Sequence, residues 1–108
     1  MLVFVAAERL ELEGLLVHVD ELSQPDWPLD FARLGRLNGV PIAMVANGPG
    51  PKLAGDAVDV VKANQNMDAL ISIGFCGGLQ ASLKACDIFV PSEIVGISPV
   101  RQPASQRP

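Results

Sequence analysis

Two glycine-rich segments, each at the end of an apolar run, are the parts of this sequence best suited to hold a ligand. The first, residues 47–52, has the sequence Asn-Gly-Pro-Gly-Pro-Lys and lies between the apolar run 40–46 and an amphipathic stretch. In an α/β fold, ligands bind at strand carboxyl ends beside a helix N-terminus, where glycines allow close backbone approach. Pro49 and Pro51 lack amide donors, so the segment matches neither a Walker loop nor a dinucleotide fingerprint. A tight connection of glycine and proline turns is the alternative interpretation.

The second glycine-rich segment, residues 74–79, has the sequence Gly-Phe-Cys-Gly-Gly-Leu and ends the apolar run 68–74. Three glycines in five residues let a backbone pass close to a ligand, and a plain surface loop is the alternative. Both segments follow runs that indicate buried strands. We therefore predict that residues 47–50 and 74–78 lie at the same edge of one sheet, at strand carboxyl ends.

Acidic side chains form a third group, directly after the first apolar run at residues 2–7. They are Glu8, Glu11 and Glu13. Glu8 and Glu11 are three positions apart, so they share one face of a helix. Acidic residues in a first helical turn also interact favourably with the helix dipole, and this structural role is the alternative to a chemical one.

The remaining chemically versatile residues do not form a metal site. His18 is the only histidine, and Cys76 and Cys86 are far from it in sequence, so a zinc ligand set is lacking. Cys76 is either a reactive thiol or, the interpretation we favour, a small buried apolar residue. Trp27, near two prolines, is predicted to be a packing anchor. We predict no metal and no cofactor.

The elements that position these residues alternate between strand and helix. Continuous apolar runs predict buried strands, and an apolar face at helical spacing predicts helices. Asn38-Gly39 between two runs is the strongest short signal for a hairpin. The predicted strands are residues 2–7, 31–37, 40–46, 68–74 and 87–95, the predicted helices are 8–18 and 52–65, and residues 20–30 are predicted to be a loop. This order predicts an α/β fold with a mixed, mostly parallel sheet and flanking helices.

Two features near the end of the chain modify this prediction. Pro91 places the strand 87–95 at a sheet edge or a bulge, because proline cannot donate to the ladder. Residues 99–108 contain three prolines and few apolar side chains, and we predict that they form an unfolded tail. Residues 1–98 are then one partial α/β domain.

Composition excludes several classes of function. The 108 residues carry a net charge of −4, and the eight basic residues are scattered, which argues against nucleic-acid and anionic membrane surfaces. No apolar run reaches the ~20 residues of a membrane helix, and the first residues lack the basic region of a signal peptide. We therefore expect a cytoplasmic protein. Hydrophobic residues make up 49%, which in so short a chain indicates a face covered by another copy or by a larger core.

Together, the three groups form an ordered set that resembles a known family. The most specific stretches are ALISIGFCGGL at residues 69–79 and LKACDIFVP at residues 83–91. They are similar to the N-terminal half of the nucleoside phosphorylase and nucleosidase superfamily. The likeness is greatest to the branch of the 5′-methylthioadenosine/S-adenosylhomocysteine nucleosidases and hopanoid-associated phosphorylases, and it runs from about residue 2 to residue 94.

The resemblance implies an enzyme that cleaves the N-glycosidic bond of a purine-type nucleoside, which is its small-molecule partner. It implies that Glu11, or Glu8 in a different register, orients the attacking water and contacts the ribose. The substrate-binding residues that it implies are Gly48, Gly50, Gly74, Phe75, Cys76, Gly77 and Gly78. Because family members form dimers and hexamers, it also implies a homo-oligomer, with residues 8–18 and 87–95 as candidate contacts.

The departures from the family pattern modify the expected chemistry. Ser72 and Phe75 stand where the phosphorylases carry an arginine and a Ser or Thr that bind phosphate, which favours water as the nucleophile. Cys86 replaces the usual glycine before Asp87, and a Cβ there is strained if the turn needs a positive φ.

The family's general-acid aspartate lies in a C-terminal half to which this sequence has no counterpart. We therefore expect a truncated chain that is inactive alone. A non-catalytic binding or assembly module derived from the family is the main alternative, and an unrelated small nucleotide-binding domain is another.

Overall fold

A computed structural model of the protein describes residues 1–76, 79–95 and 101–103. The chain divides into two compact units, Met1–Phe75 and Cys76–Pro108. The predicted domain boundary between positions 98 and 99 lies outside the described residues. In the part of the chain that the structure describes, no helix has the length and apolar character needed to cross a bilayer.

The first unit is built on a five-stranded mixed sheet with the order β2-β3-β4-β1-β5. Strand β1 runs parallel to both β4 and β5, whereas β2 with β3 and β3 with β4 are antiparallel. The strands are β1 (Leu2–Ala6), β2 (Asp20–Ser23), β3 (Phe31–Leu37), β4 (Val40–Ala46) and β5 (Ala69–Ser72). The predicted mixed α/β fold is confirmed.

Strands β1 and β4 bury side chains on both faces of the sheet. The face that packs on a helix contains Val3 and Val45 and is the first core, and the opposite face contains Ile42 and Met44 and is the second core. All four side chains are inaccessible to solvent. A strand buried on both sides needs apolar residues at every position, which is why these runs do not alternate with polar residues. Trp27 packs at the margin of the first core, as predicted for an anchor.

Helix α2 (Pro51–Asn64) covers one face of the sheet and begins one residue before the predicted helix 52–65. Proline at its first turn costs nothing, because amides there have no intrahelical partner. Ala57 and Val61, one turn apart, are completely buried against the sheet. The apolar face at helical spacing therefore predicted this element correctly.

The predicted helix 8–18 forms as two short pieces, a 3-10 helix (Arg9–Leu12) and α1 (Glu13–Leu16). The 3-10 helix places Leu12 in the second core, where it is completely buried. The amides of His18 and Val19 donate to the carbonyls of Leu15 and Leu16, three residues back in the chain. These hydrogen bonds span one residue fewer than those of an α-helix, and they end the helical segment. The segment is helical, as predicted, but less regular than one amphipathic helix.

The loop predicted at residues 20–30 is partly wrong, because β2 (Asp20–Ser23) pairs with β3 at the sheet edge. All of its residues are exposed, so its sequence shows no alternation that indicates a strand. Pairing with a neighbouring strand, with one irregularity in register, stabilises it instead. The predicted hairpin is confirmed at Asn38 and Gly39, which both have a positive φ.

The second unit departs from the predicted strand 87–95. A strand forms only at β6 (Glu93–Val95), which pairs antiparallel with β7 (Arg101–Pro103), a described part of the segment predicted to be a tail. Residues 84–87 form a turn, in which the Lys84 amide donates to the carboxylate of Asp87 at 2.8 Å. Cys86 takes a positive φ of 73° in that turn, the conformation that glycine tolerates best.

Candidate functional site

The carboxyl ends of β1, β4 and β5 meet at one edge of the sheet, since these strands are mutually parallel. Residues 47–50 leave β4 there, and residues 73–75 leave β5 there. The Gly48 amide donates to the carbonyl of Ala7 at 2.8 Å, which joins the first glycine segment to the end of β1. The prediction that the two glycine segments share one sheet edge is therefore confirmed for positions 47–50 and 74–75.

Glu11 is held at this edge by backbone amides from both sides. Its Oε1 accepts hydrogen bonds from the amides of Ala7 at 3.1 Å and Glu8 at 3.0 Å. Its Oε2 accepts one from the amide of Phe75 at 2.8 Å, sixty-four residues away in sequence. The carboxylate thus links the end of β1 to the loop after β5.

The two carboxylate oxygens of Glu11 differ in how many further hydrogen bonds they can accept. A carboxylate oxygen accepts about two hydrogen bonds, so Oε1 is saturated by its two amides, whereas Oε2 has one acceptor position free. An anionic acceptor held by amide donors is preorganised and loses little side-chain freedom when it binds a further donor. Oε2 is therefore the atom that can bind a hydroxyl or a water.

Gly74 is required for this arrangement because of its position against Glu11. A Cβ at position 74 would lie 2.6 Å from Oε2 of Glu11, closer than non-bonded carbon and oxygen approach. Any other residue at position 74 therefore displaces the carboxylate or the loop. This is the physical reason for a glycine at the start of the second segment.

A first cleft of about 210 Å³ opens beside Glu11 at the sheet edge. Its walls come from the end of β1, both loops and the first turns of α2. The lining residues are Val5, Ala6, Ala7, Glu11, Gly48, Gly50, Ala54, Ser72 and Ile73. Among these described residues, Glu11 is the only one with a charged side chain.

The first glycine segment is shaped by its backbone conformation and by Asn47. Gly48 has a φ of 98°, and a Cβ there would meet the side chain of Leu53 at 2.8 Å. The amide of the Asn47 side chain donates to the carbonyl of Leu53 at 3.1 Å, and its oxygen accepts from the Asp30 amide. The segment is thus a defined turn that lines the first cleft with backbone.

The structure gives positions for three of the other candidate site residues, Glu8, Phe75 and Cys76. Glu8 is exposed and lines a separate, second cleft. Phe75 donates its amide to Glu11, and the residue as a whole is 73% exposed. Cys76 is exposed, so the interpretation as a buried filler is wrong. Gly77 and Gly78 lie outside the described residues.

Six residues that line the first cleft were not among the predicted site residues, namely Val5, Ala6, Ala7, Ala54, Ser72 and Ile73. Ile73 follows β5 and Ala54 lies in the first turn of α2, and both line the first cleft. Neither has a side chain that marks it chemically. Among the residues that the structure describes, no group of His, Cys, Asp and Glu clusters as metal ligands do.

Comparison with known proteins relates this geometry to a family. The family model of the phosphorylase superfamily matches residues 14–107. The fold is similar to a 5′-methylthioadenosine/S-adenosylhomocysteine nucleosidase from Neisseria meningitidis, solved with methylthio-immucillin-A, with a TM-score of 0.69 and 24% identity over 77% of this chain and 36% of that chain. It is also similar to the corresponding nucleosidase of S. pneumoniae, with a TM-score of 0.61 and 22% identity over 66% of this chain and 31% of that chain. The chain spans about a third of the length of these nucleosidases.

Proposed function

The chain belongs to the phosphorylase superfamily, and on that premise we propose that the first cleft binds a purine nucleoside, with Glu11 on the nucleophile side of its N-glycosidic bond. The observation that carries this proposal is the Glu11 carboxylate, held by three backbone amides at the sheet edge with one acceptor position of Oε2 free. The similar nucleosidase from Neisseria meningitidis is in complex with methylthio-immucillin-A, and that from S. pneumoniae holds the transition-state inhibitor MT-ImmA.

The chemistry of N-glycosidic cleavage fits a fixed carboxylate at this place. The sugar becomes oxocarbenium-like in the transition state, and a nearby negative charge stabilises the positive charge that develops. Oε2 of Glu11 can also accept a proton or a hydrogen bond from an attacking water and so orient it toward the sugar. The backbone amides supply this orientation before any ligand binds.

We propose water, and not phosphate, as the nucleophile. Glu11 is the only charged side chain among the described residues that line the first cleft, and its negative charge repels a phosphate dianion. Ser72 lines the cleft with a hydroxyl but supplies no cation. A bidentate arginine is the residue type that usually compensates a phosphate in such a site.

Cleavage also needs a group that gives a proton to the leaving base. We propose that the chain by itself binds a nucleoside but turns it over slowly. Loss of acid–base assistance typically reduces a rate by about 10²- to 10⁴-fold. In the described part of the first cleft, Glu11 is the only titratable group, and it already faces the nucleophile side. The same observation favours the second candidate function, a nucleoside-binding module without catalysis.

The proposed function is tested by calorimetric titration of the chain with 5′-methylthioadenosine, together with an assay for free adenine. The variant Glu11→Gln keeps the size but removes the charge, and its side-chain amide cannot replace all three acceptor contacts. We expect its affinity to fall by about tenfold. Glu13→Gln is the matched control, since Glu13 is exposed and does not line the cleft.

Saturable binding that depends on Glu11 and not on Glu13 supports the proposal. An absence of binding, or equal affinities of the Glu11→Gln variant and the unaltered chain, overturns it. Adenine release above the level of the Glu11→Gln variant excludes the non-catalytic module, and rapid release contradicts the proposal of slow turnover.

We also propose that the protein self-associates, as the family resemblance implies. Apolar side chains are exposed in both segments that the sequence analysis names as contacts. In the first unit, Leu10 is 59% and Val17 is 78% exposed, and in the second unit Ile88 is 91% exposed. Covering such side chains with a second copy removes apolar surface from water, which favours association.

A further inference from the structure

A second cleft, of about 420 Å³, opens next to the first one. The two clefts share Ala7 and Gly48 in their linings and therefore adjoin each other. Unlike the first cleft, the second one carries cationic side chains. Its lining residues include Arg9, from the 3-10 helix, and Arg33, from β3.

The two arginines are organised around one aromatic ring, that of Phe31. The guanidinium carbon of Arg33 lies 4.6 Å from the ring centroid, and that of Arg9 lies 5.5 Å from it. Phe31 is itself only 5% exposed, so the ring is a rigid platform. A guanidinium that stacks on a ring keeps its N–H donors at its edge, where they remain available to bind an anion.

Neither guanidinium forms an ion pair with a carboxylate of the described residues. Arg33 donates one hydrogen bond, to the carbonyl of Ala32 at 2.7 Å, and no ion pair joins Arg9 or Arg33 to an acidic residue in the described part of the chain. Arg36 on the same strand differs, because it pairs with Glu21 at 3.0 Å. The free positive charge of β3 is therefore concentrated at the second cleft.

Two carboxylates line the same cleft without pairing with these arginines. Glu8 is exposed to solvent. Asp30 directs its Oδ2 toward the glycine loop, 3.9 Å from where a Cβ of Gly48 would lie. Because these groups lie beyond ion-pair distance, they leave the Arg9 donors and the remaining Arg33 donors available to a ligand.

From this arrangement we propose that the second cleft binds an anionic substituent, a phosphate or a carboxylate, carried by the nucleoside that occupies the first cleft. Two arginines that converge on an anion give charge-assisted hydrogen bonds with planar, bidentate geometry. The inference rests on the proposed function for the nucleoside moiety. It adds the substrate class: a negatively charged nucleoside is preferred over a neutral one.

This anion is distinct from a phosphate nucleophile. A nucleophile must approach the sugar in the first cleft, where the charged side chain is the carboxylate of Glu11. The arginines line the neighbouring cleft, so the group that they bind is one that remains attached to the ligand. Their role is to select and position the substrate.

The test compares the affinities of adenosine and adenosine 5′-monophosphate for the full chain by calorimetric titration at low and high salt. We expect the monophosphate to bind about tenfold more tightly at low salt, with the preference reduced at high salt by screening. Arg33→Met and Arg9→Met should each reduce this preference and leave the affinity for adenosine unchanged. Arg36→Met, on the same strand but outside the cleft, is the matched control and should retain the preference.

Other outcomes separate the two proposals. Equal affinities for adenosine and its monophosphate overturn the anion-binding inference and leave the proposed function intact. A preference that persists in both the Arg33→Met and Arg9→Met variants also overturns the inference. A third arm adds inorganic phosphate to adenosine, and an equal gain in affinity from the free ion contradicts the claim that the anion is a substituent. Failure of every nucleoside to bind overturns the proposed function itself.

Discussion

Glu11 owes its position to backbone atoms that no single element provides. Two amides come from the turn after β1, and the third comes from Phe75 after β5. Each contact is a hydrogen bond to a carboxylate, a type that is stronger than one between neutral groups. The carboxylate is therefore oriented by the fold, and a residue that disturbs its surroundings disturbs it without changing its chemistry.

The clearest prediction at the residue scale concerns Gly74→Ala. The new Cβ would lie 2.6 Å from Oε2 of Glu11, so the carboxylate must move away and lose its contact with Phe75. We expect stability to fall by only about 1 kcal/mol, because one hydrogen bond at an exposed site is lost. Nucleoside affinity should fall about tenfold, as in Glu11→Gln.

The control for this prediction is Gly14→Ala, since a Cβ at position 14 meets nothing within 4 Å. That variant should bind nucleoside like the unaltered chain. Urea denaturation and calorimetric titration measure the two effects separately. If Gly74→Ala retains full affinity, the placement of Glu11 does not depend on the space that Gly74 leaves.

At the scale of elements, α2 joins the core to the candidate site. Its buried residues Ala57 and Val61 hold it on the sheet, and its first turns contribute Ala54 to the first cleft. The turn before it begins at Gly48, which has a positive φ and lies against Leu53 of the helix. The position of the glycine segment is thus set by how the helix packs.

Helix α2 contains a glycine that its environment does not require. A Cβ at Gly55 meets nothing within 4 Å, and its backbone is helical. We expect Gly55→Ala to raise the free energy of unfolding by about 0.5–1 kcal/mol, because alanine loses less conformational freedom in a helix. Urea denaturation checks the change.

Gly39→Ala is the matched control for Gly55→Ala. A Cβ at position 39 also meets nothing, but the φ of 79° in the hairpin turn disfavours any L side chain. We expect it to lower stability by about 1 kcal/mol. If both variants change the free energy of unfolding in the same direction, backbone conformation does not decide the effect of alanine on stability.

At the scale of the whole molecule, large apolar side chains are exposed in both units. In the first unit they include Val17, and in the second Leu79 at 98% and Ile88 at 91% exposure. Scattered exposed apolar residues are ordinary in proteins, but exposure this complete in so small a chain favours association.

We predict that the chain forms a homo-oligomer, most simply a two-fold dimer, which sedimentation equilibrium at micromolar concentration detects. Val17→Glu should weaken the association by placing a charge in the predicted contact. It should have little effect on the fold, because Val17 is 78% exposed. Leu22→Glu, on the exposed strand β2, lies outside the predicted contact and should retain the association. A monomer mass at all concentrations, with a melt independent of concentration, contradicts the prediction.

The sequence by itself determined the parts of this protein that depend on local pattern. The strands at residues 2–7 and 40–46, the hairpin at Asn38-Gly39 and helix 52–65 follow from apolar runs, turn preferences and helical spacing, and all are confirmed. The mixed α/β class and the family resemblance follow from the order of these patterns. Each of these signals is contained within a few neighbouring residues.

Only the tertiary structure decided what depends on distant neighbours. Strand β2 exists because β3 is beside it, and its exposed residues carry no pattern. Sequence spacing does not separate the positions of Glu8 and Glu11, whereas in the structure Glu11 lines the first cleft and accepts from the Phe75 amide, and Glu8 lines the second cleft. Arg9 and Arg33 are likewise far apart in sequence, and only in the fold do both guanidiniums lie over the ring of Phe31. The physical reason is the same in each case: these contacts join residues whose proximity arises only when the chain folds.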